Sequence, residues 1–233
     1  VKRNALLIGN TGGLDGVVVD VERTRKFLLS DKGGQWLNSE MTILVDPRKA
    51  DVRDAIAEMR RERPDYTFFL FSGHGCHYGQ TQMNLNERNE KLLESELHFI
   101  ADRQLSIFDC CRVDEALRKA TMESAQPTFD AIDRTREKYE ARIMQAASQH
   151  ARLYACSVDE TSSDFPEGAL YLSYLLAAAD SIPDGARWKT VEDAHRQAKT
   201  KTVARATQEG DRQTPCAVLP KLTEDRQLIL SIQ

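Results

Sequence analysis

Long apolar runs are missing from this 233-residue chain. None approaches the roughly 18 consecutive residues that cross a bilayer, and the N-terminus lacks the order of a secretory signal. A soluble, cytoplasmic chain with no membrane partner is therefore expected. An excess of either charge is missing as well. The 32 Lys plus Arg against 36 Asp plus Glu give a net charge of -4, which offers nucleic acid no overall attraction. The one dense basic run, Arg60-Arg61-Glu62-Arg63, reads as a solvated helix end. A disulfide framework is missing too, because five cysteines cannot all pair within one chain and Cys110 and Cys111 are adjacent. A reducing compartment fits that pattern. There is no Walker A sequence, no well-spaced Gly-x-Gly-x-x-Gly and no calcium-loop motif. Gly9, Gly12, Gly13 and Gly16 thus read as tight backbone turning rather than a phosphate cradle. No organic cofactor is expected. The first residue is Val1 rather than Met, which fits a domain or processed piece of a longer protein.

What is present is 41% apolar residues, enough for a sizeable core in one domain covering residues 1–233. Ala5-Leu6-Leu7-Ile8, Met41 to Val45, Tyr66 to Phe71 and Leu105 to Phe108 read as strands, and a fifth is centred on Leu153-Tyr154-Ala155. The continuous apolar character of Tyr66 to Phe71 implies cover on both faces. Between them lie helical spacings. Val17, Val21, Thr24 and Leu28 form one stripe; Val52, Ile56 and Met59 form a second, with Asp51 as a plausible N-cap. Ala169, Leu172, Leu176 and Ala179 suggest a largely buried helix, and Val191, Ala194 and Ala198 an amphipathic one from about Thr190. Strands alternating with helices predict a mostly parallel sheet with helices on both faces. Residues 112–149 break the alternation, being charged and polar, and read as helix, loop, then helix. This insertion is either an excursion over the active edge or a cleavable activation linker.

In an open parallel sheet, reactive groups collect beyond the carboxyl ends of the strands. His74 follows the aromatic strand between Gly73 and Gly75, and Cys111 follows the Leu105 to Phe108 strand. A thiolate attacks a carbonyl carbon far better than a thiol, and an imidazole can take the thiol's proton or protonate a leaving amine. The amides of Gly75 and Cys111 are candidates for stabilising an oxyanion. Cys110 is the alternative nucleophile, although successive side chains of an extended segment face opposite ways, so only one of the two can be poised beside His74. A zinc set of His74, Cys76, His77 and Cys110 or Cys111 is the metal alternative, but it lacks a clean second ligand pair. No metal is expected. Cys76, Cys156 and Cys216 read as small core residues.

The segment Phe68 to Gly75, with Ser72-Gly73-His74-Gly75 at its end, resembles the histidine motif of caspase-like cysteine peptidases, a group spanning caspases, metacaspases and bacterial caspase-like or CHAT domains. Ser106 to Cys111 resembles their nucleophile strand, with Cys110 at the Ser of the metacaspase Asp-Ser-Cys pattern. Leu14-Asp15-Gly16 with Asp20 resembles the early loop and helix, and Cys156 to Asp164 the segment that helps line the specificity pocket in metacaspases. Departures are Arg112-Val113 for the usual His-Ser, Val158 for an acidic residue and Glu160 for glutamine. The resemblance implies an α/β fold, a caspase-like three-layer sandwich, and a thiol protease that hydrolyses protein or peptide substrates. It places the nucleophile at Cys111 and the proton-transfer group at His74. Asp109, Asp159 and Asp164 are candidates for holding a substrate Arg or Lys, because a clefted carboxylate pairs with a cation through charge-assisted hydrogen bonds. Relatives act in stress, controlled cell death or bacterial defence, and some require calcium, cleavage or an activating protein domain. The alternative is a catalytically inactive regulatory or protein-interaction domain on the same scaffold.

Overall fold

The computed structural model describes residues 1–113 and 134–233. In chain order the elements are β1 (Arg3–Gly9), α1 (Gly16–Leu29), β2 (Met41–Val45), α2 (Lys49–Glu62), β3 (Tyr66–Ser72), β4 (Gly75–Tyr78), β5 (Gln80–Asn84), β6 (Lys91–Leu93) and β7 (Arg103–Asp109). After residues 114–133 follow α3 (Thr135–Gln145), β8 (Gln149–Tyr154), β9 (Asp164–Phe165), β10 (Gly168–Ala169), α4 (Leu170–Asp180), β11 (Trp188–Thr190), α5 (Val191–Gln208), β12 (Cys216–Val218) and β13 (Ile229–Ile232). The central sheet has the order β12-β8-β7-β3-β1-β2, parallel throughout except for β12.

Alternation along the central strands supplies both faces of the sheet. Ala5, Leu7, Phe68, Leu70, Leu105 and Ile107 join the core that contains Val21 and Leu28 of α1, Tyr139 and Ile143 of α3, and the inner faces of α4 and α5. Leu6, Ile8, Phe69, Phe71 and Phe108 join the opposite core, closed by Val52, Ile56 and Met59 of α2, by Met83 and Leu92 of the small β4-β5-β6 sheet and by Leu85 just after β5. Each of the fully buried phenylalanines contributes roughly 2 to 3 kcal/mol through the water it sheds. The result is the α/β three-layer arrangement expected from the alternation.

Three details differ from the sequence reading. Helix α2 starts at Lys49, which puts Asp51 in its first turn, paired with Arg48 at 2.8 Å, rather than at the cap. The polar stretch after His74, to which the sequence reading assigns no strand, pairs as an antiparallel sheet and buries Thr81 and Met83. The charged segment 112–149 divides: its central part falls on residues 114–133, outside the described residues, while α3 packs Tyr139 and Ile143 into the core. Arg142 in that helix is 3% exposed, stacks on Trp188 at 4.9 Å and donates to Glu224 O, so charge in this stretch did not mean solvent.

Candidate active site

Two neighbouring strands deliver the candidate pair. β3 and β7 run parallel in a register that sets Ser72 beside Asp109, so His74 and Cys111 each stand two residues beyond the same rung. Parallel neighbours are about 4.8 Å apart. Gly73 N donates to Asp109 O at 3.1 Å, which keeps the two chain ends together past the last rung. Both side chains line one cavity of about 430 Å3, bounded also by Ser72, Asp109, Ser162, Asp164, Glu209 and Asp211.

Glycine is required on both sides of His74. Gly73 has a φ of 143°, and a Cβ there would stand 2.7 Å from Asn10 O; a Cβ on Gly75 would stand 2.5 Å from Cys110 Sγ. The His74 ring is held by Gly12, whose carbonyl oxygen lies 2.8 Å from Nε2. A carbonyl can only accept, so Nε2 carries a proton and, in the neutral ring, Nδ1 carries the lone pair. Gly12 itself has a φ of 27°, and a methyl group there would press on the His74 ring at 2.8 Å.

The two cysteines separate as alternation requires. Cys110 is 1% exposed and belongs to the core beneath α2 and the β4-β5-β6 sheet, where burial pushes its thiol far above the ordinary range. Cys111 faces the cavity. Its Sγ accepts from Ser162 N at 3.4 Å and donates to Ser162 O at 3.7 Å. Burial raises the Cys111 thiol, the Ser162 amide opposes that shift, and Asp109 adds to it, so the thiol is protonated at neutral pH until a base removes its proton. Of the two oxyanion candidates, the Cys111 residue lines the cavity and Gly75 does not. Gly75 faces Met83 in the β4-β5 ladder while Asn84 N bonds His74 O, which makes Gly75 a non-hydrogen-bonded rung whose N–H points away from β5.

The acidic candidates part company. Asp109 is 2% exposed at the end of β7; its Oδ1 accepts from Ser162 Oγ at 2.7 Å and its Oδ2 from Leu172 N at 3.0 Å. Burial pushes its carboxyl up to about 7. Asp164 lines the cavity from β9, accepts from Gly16 N at 3.3 Å and is raised by burial to about 6. Asp159 does not reach the cavity. It sits at φ 64° in an exposed turn whose amide donates to Arg112 O, so its carboxyl faces solvent. A further acid was not among the candidates: Asp20, 1% exposed, accepts from Ser72 Oγ at 2.6 Å and from Ala169 N at 2.9 Å, just behind the cavity wall. Burial and the neighbouring Asp109 hold its carboxyl well above the usual range. Its signal was available, since residue 20 shares the apolar stripe of Val17, Val21 and Thr24. Glu209 and Asp211, on the loop after α5, add to the acidic lining, and among the described residues no Lys or Arg lines the cavity.

Among the described residues no three His, Cys, Asp or Glu side chains are grouped to hold a metal ion, and no helix is long and apolar enough to cross a membrane. His77, one of the zinc alternatives, instead receives Arg112 Nη2 on Nδ1 at 3.3 Å.

A parallel sheet that brings a cysteine and a histidine to adjoining strand ends is the architecture of caspase-like proteins. The family model described as the caspase domain matches residues 2–227, and the chain belongs to that family. Its fold is similar to that of a protein from Geobacter sulfurreducens, with a TM-score of 0.61, 15% identity and 97% of each chain covered. It is also similar to caspase-1 from Spodoptera frugiperda, with a TM-score of 0.60, 11% identity, and 93% of this chain and 86% of that one covered. No curated protein sequence matches it.

Proposed function

We propose that the chain is a cysteine endopeptidase that cleaves proteins or peptides after Arg or Lys. The observation that carries this reading is the composition of one cavity: a thiol and an imidazole share it with Asp109, Asp164, Glu209 and Asp211, and among the described residues no Lys or Arg lines it. In the reaction, His74 Nδ1 takes the Cys111 proton and the sulfur adds to the carbonyl carbon of the scissile bond. The amides of Cys111 and Gly75 receive the developing oxyanion, and His74 returns the proton to the departing amine. Water then hydrolyses the thioester with His74 again as base. The substrate's cation enters the space between Asp109 and Asp164, whose carboxyls burial raises to about 7 and about 6. Each must be ionised to attract the cation, so kcat/KM for an Arg peptide is expected to rise between about pH 6 and 7.

One observation favours the second reading, a binding domain without turnover: the Cys111 thiol is engaged with Ser162 O in the resting structure. Catalytic hydrogen bonds often form only once substrate is bound, so this arrangement is compatible with an enzyme. A mixed peptide library, assayed with wild type and Cys111→Ala, with and without calcium, decides between them. The peptidase reading expects cleavage by wild type alone, after Arg or Lys. Cleavage after Asp with rejection of basic residues removes the cation pocket, and equal turnover by both proteins removes the nucleophile.

A further inference from the structure

The loop joining α5 to β12 sends one side chain into the cavity's outer wall. Gln213 is 1% exposed, and all of its polar atoms are engaged with the segment after β8. Its Nε2 donates to Ala155 O at 2.9 Å and to Ser162 Oγ at 3.3 Å, and its Oε1 accepts from Ser163 N at 3.0 Å. Ser162 Oγ in turn donates to Asp109 Oδ1 at 2.7 Å. A hydroxyl has one proton to give. Because the Gln213 N–H occupies a lone pair of Ser162 Oγ, and because the same amide occupies Ala155 O, that proton has Asp109 as its acceptor.

We propose that Gln213 is a positioning residue for the cation pocket: it holds the Ser162 hydroxyl as a donor to Asp109 and so eases ionisation of that carboxyl to its cation-accepting form. The inference rests on the reading of the cavity as the site of a substrate's basic side chain. The other groups facing Asp109 do not perform this task. Among the described residues they are Asp20 from α1, Asp164 from β9, Cys110 and Cys111 directly after it in sequence, Cys156 beyond β8 and the Tyr171 hydroxyl from α4, all acids, with His74 lining the same cavity. Among the described residues, hydrogen bonds from Ser162 and Leu172 alone offset the cost of charging Asp109. Without Gln213, Ala155 O becomes a competing acceptor, the hydroxyl can turn away, and Asp109 holds its proton to higher pH.

The test is a carbon-13 NMR titration of aspartate Cγ in the whole chain, with Asp109→Asn assigning the resonance. Gln213→Met is expected to raise the Asp109 midpoint by about half a pH unit, roughly a threefold gain in proton affinity. Ser162→Ala is expected to raise it at least as far, and the double variant no further than Ser162→Ala alone, because both act through one hydroxyl. The acid limb of kcat/KM for an Arg peptide shifts the same way. An unchanged midpoint in Gln213→Met, or shifts that add in the double variant, would overturn the proposal; Gln213→Leu takes its place if the methionine variant does not fold. The titration needs no turnover, so an inactive wild type would refute the peptidase reading and still leave the role of Gln213 decided.

Discussion

Cys111→Ala is expected to lower cleavage of an Arg-bearing peptide by about 10^3-fold or more, because Cys111 is the one thiol among the described residues that lines the cavity with His74. His74→Ala is expected to cost about 10^2- to 10^4-fold, the usual range for a general acid and base. Cys110→Ala makes the contrast. Its sulfur lies in the core against Gly75, with a thiol burial holds protonated, so the variant is expected to lose some stability and to retain turnover within a few-fold. Steady-state kinetics on the three purified variants measure this directly. Loss of activity in Cys110→Ala with activity retained in Cys111→Ala would reverse the assignment.

The second large effect runs in two directions at once. Asp109→Asn is expected to weaken kcat/KM on an Arg peptide by about 10^2-fold or more, since it removes a buried charge facing the substrate's cation. The same substitution is expected to stabilise the free protein at high pH. The folded state holds the Asp109 proton up to about pH 7, whereas the ordinary carboxyl loses it near 3.8. Stability from this group is therefore present below the ordinary value and is lost as pH rises through 7, a cost on the order of 4 kcal/mol by pH 8. Asparagine escapes that cost and can keep both hydrogen bonds, accepting from Leu172 N and donating to Ser162 Oγ. Melting curves should show the variant several degrees more stable than wild type at pH 8, with the gap closing toward pH 4. A variant less stable than wild type at pH 8, or as active on Arg peptides, would contradict a charged pocket floor.

Much of this arrangement was legible because the sequence places unusual residues where regular patterns stop. A histidine between glycines after six apolar or β-branched residues has no role in the strand before it, and the same holds for the Cys110-Cys111 pair after Leu105 to Phe108. Alternation then separated the two thiols, and the structure buries Cys110 while opening Cys111 to the cavity. The pocket acids were harder. Asp159 lies only a few residues from Asp164, yet a left-handed residue in a tight turn aims it at solvent, and nothing local in Val158-Asp159-Glu160 announces a positive φ. Asp20 showed itself as a carboxylate on an apolar stripe, but its partner Ser72 is set by strand register. Gln213 gave no signal, because its function depends on a loop returning from the end of α5 to a segment about 50 residues earlier. The β4-β5-β6 sheet was obscured by Gln80, Gln82 and Asn84, which interrupt the apolar pattern around the buried Thr81 and Met83.

The most direct measurement of the central claim, that Cys111 attacks while His74 manages the proton, is covalent capture. A short peptide ending in an arginine acyloxymethyl ketone presents a carbon at which a thiolate displaces a carboxylate, and peptide-mapping mass spectrometry locates the adduct. One equivalent on Cys111, formed much more slowly in His74→Ala and suppressed by excess of a cleavable Arg peptide, is the expected result. An adduct on Cys110 or Cys216, or a labelling rate that His74→Ala leaves unchanged, would contradict it.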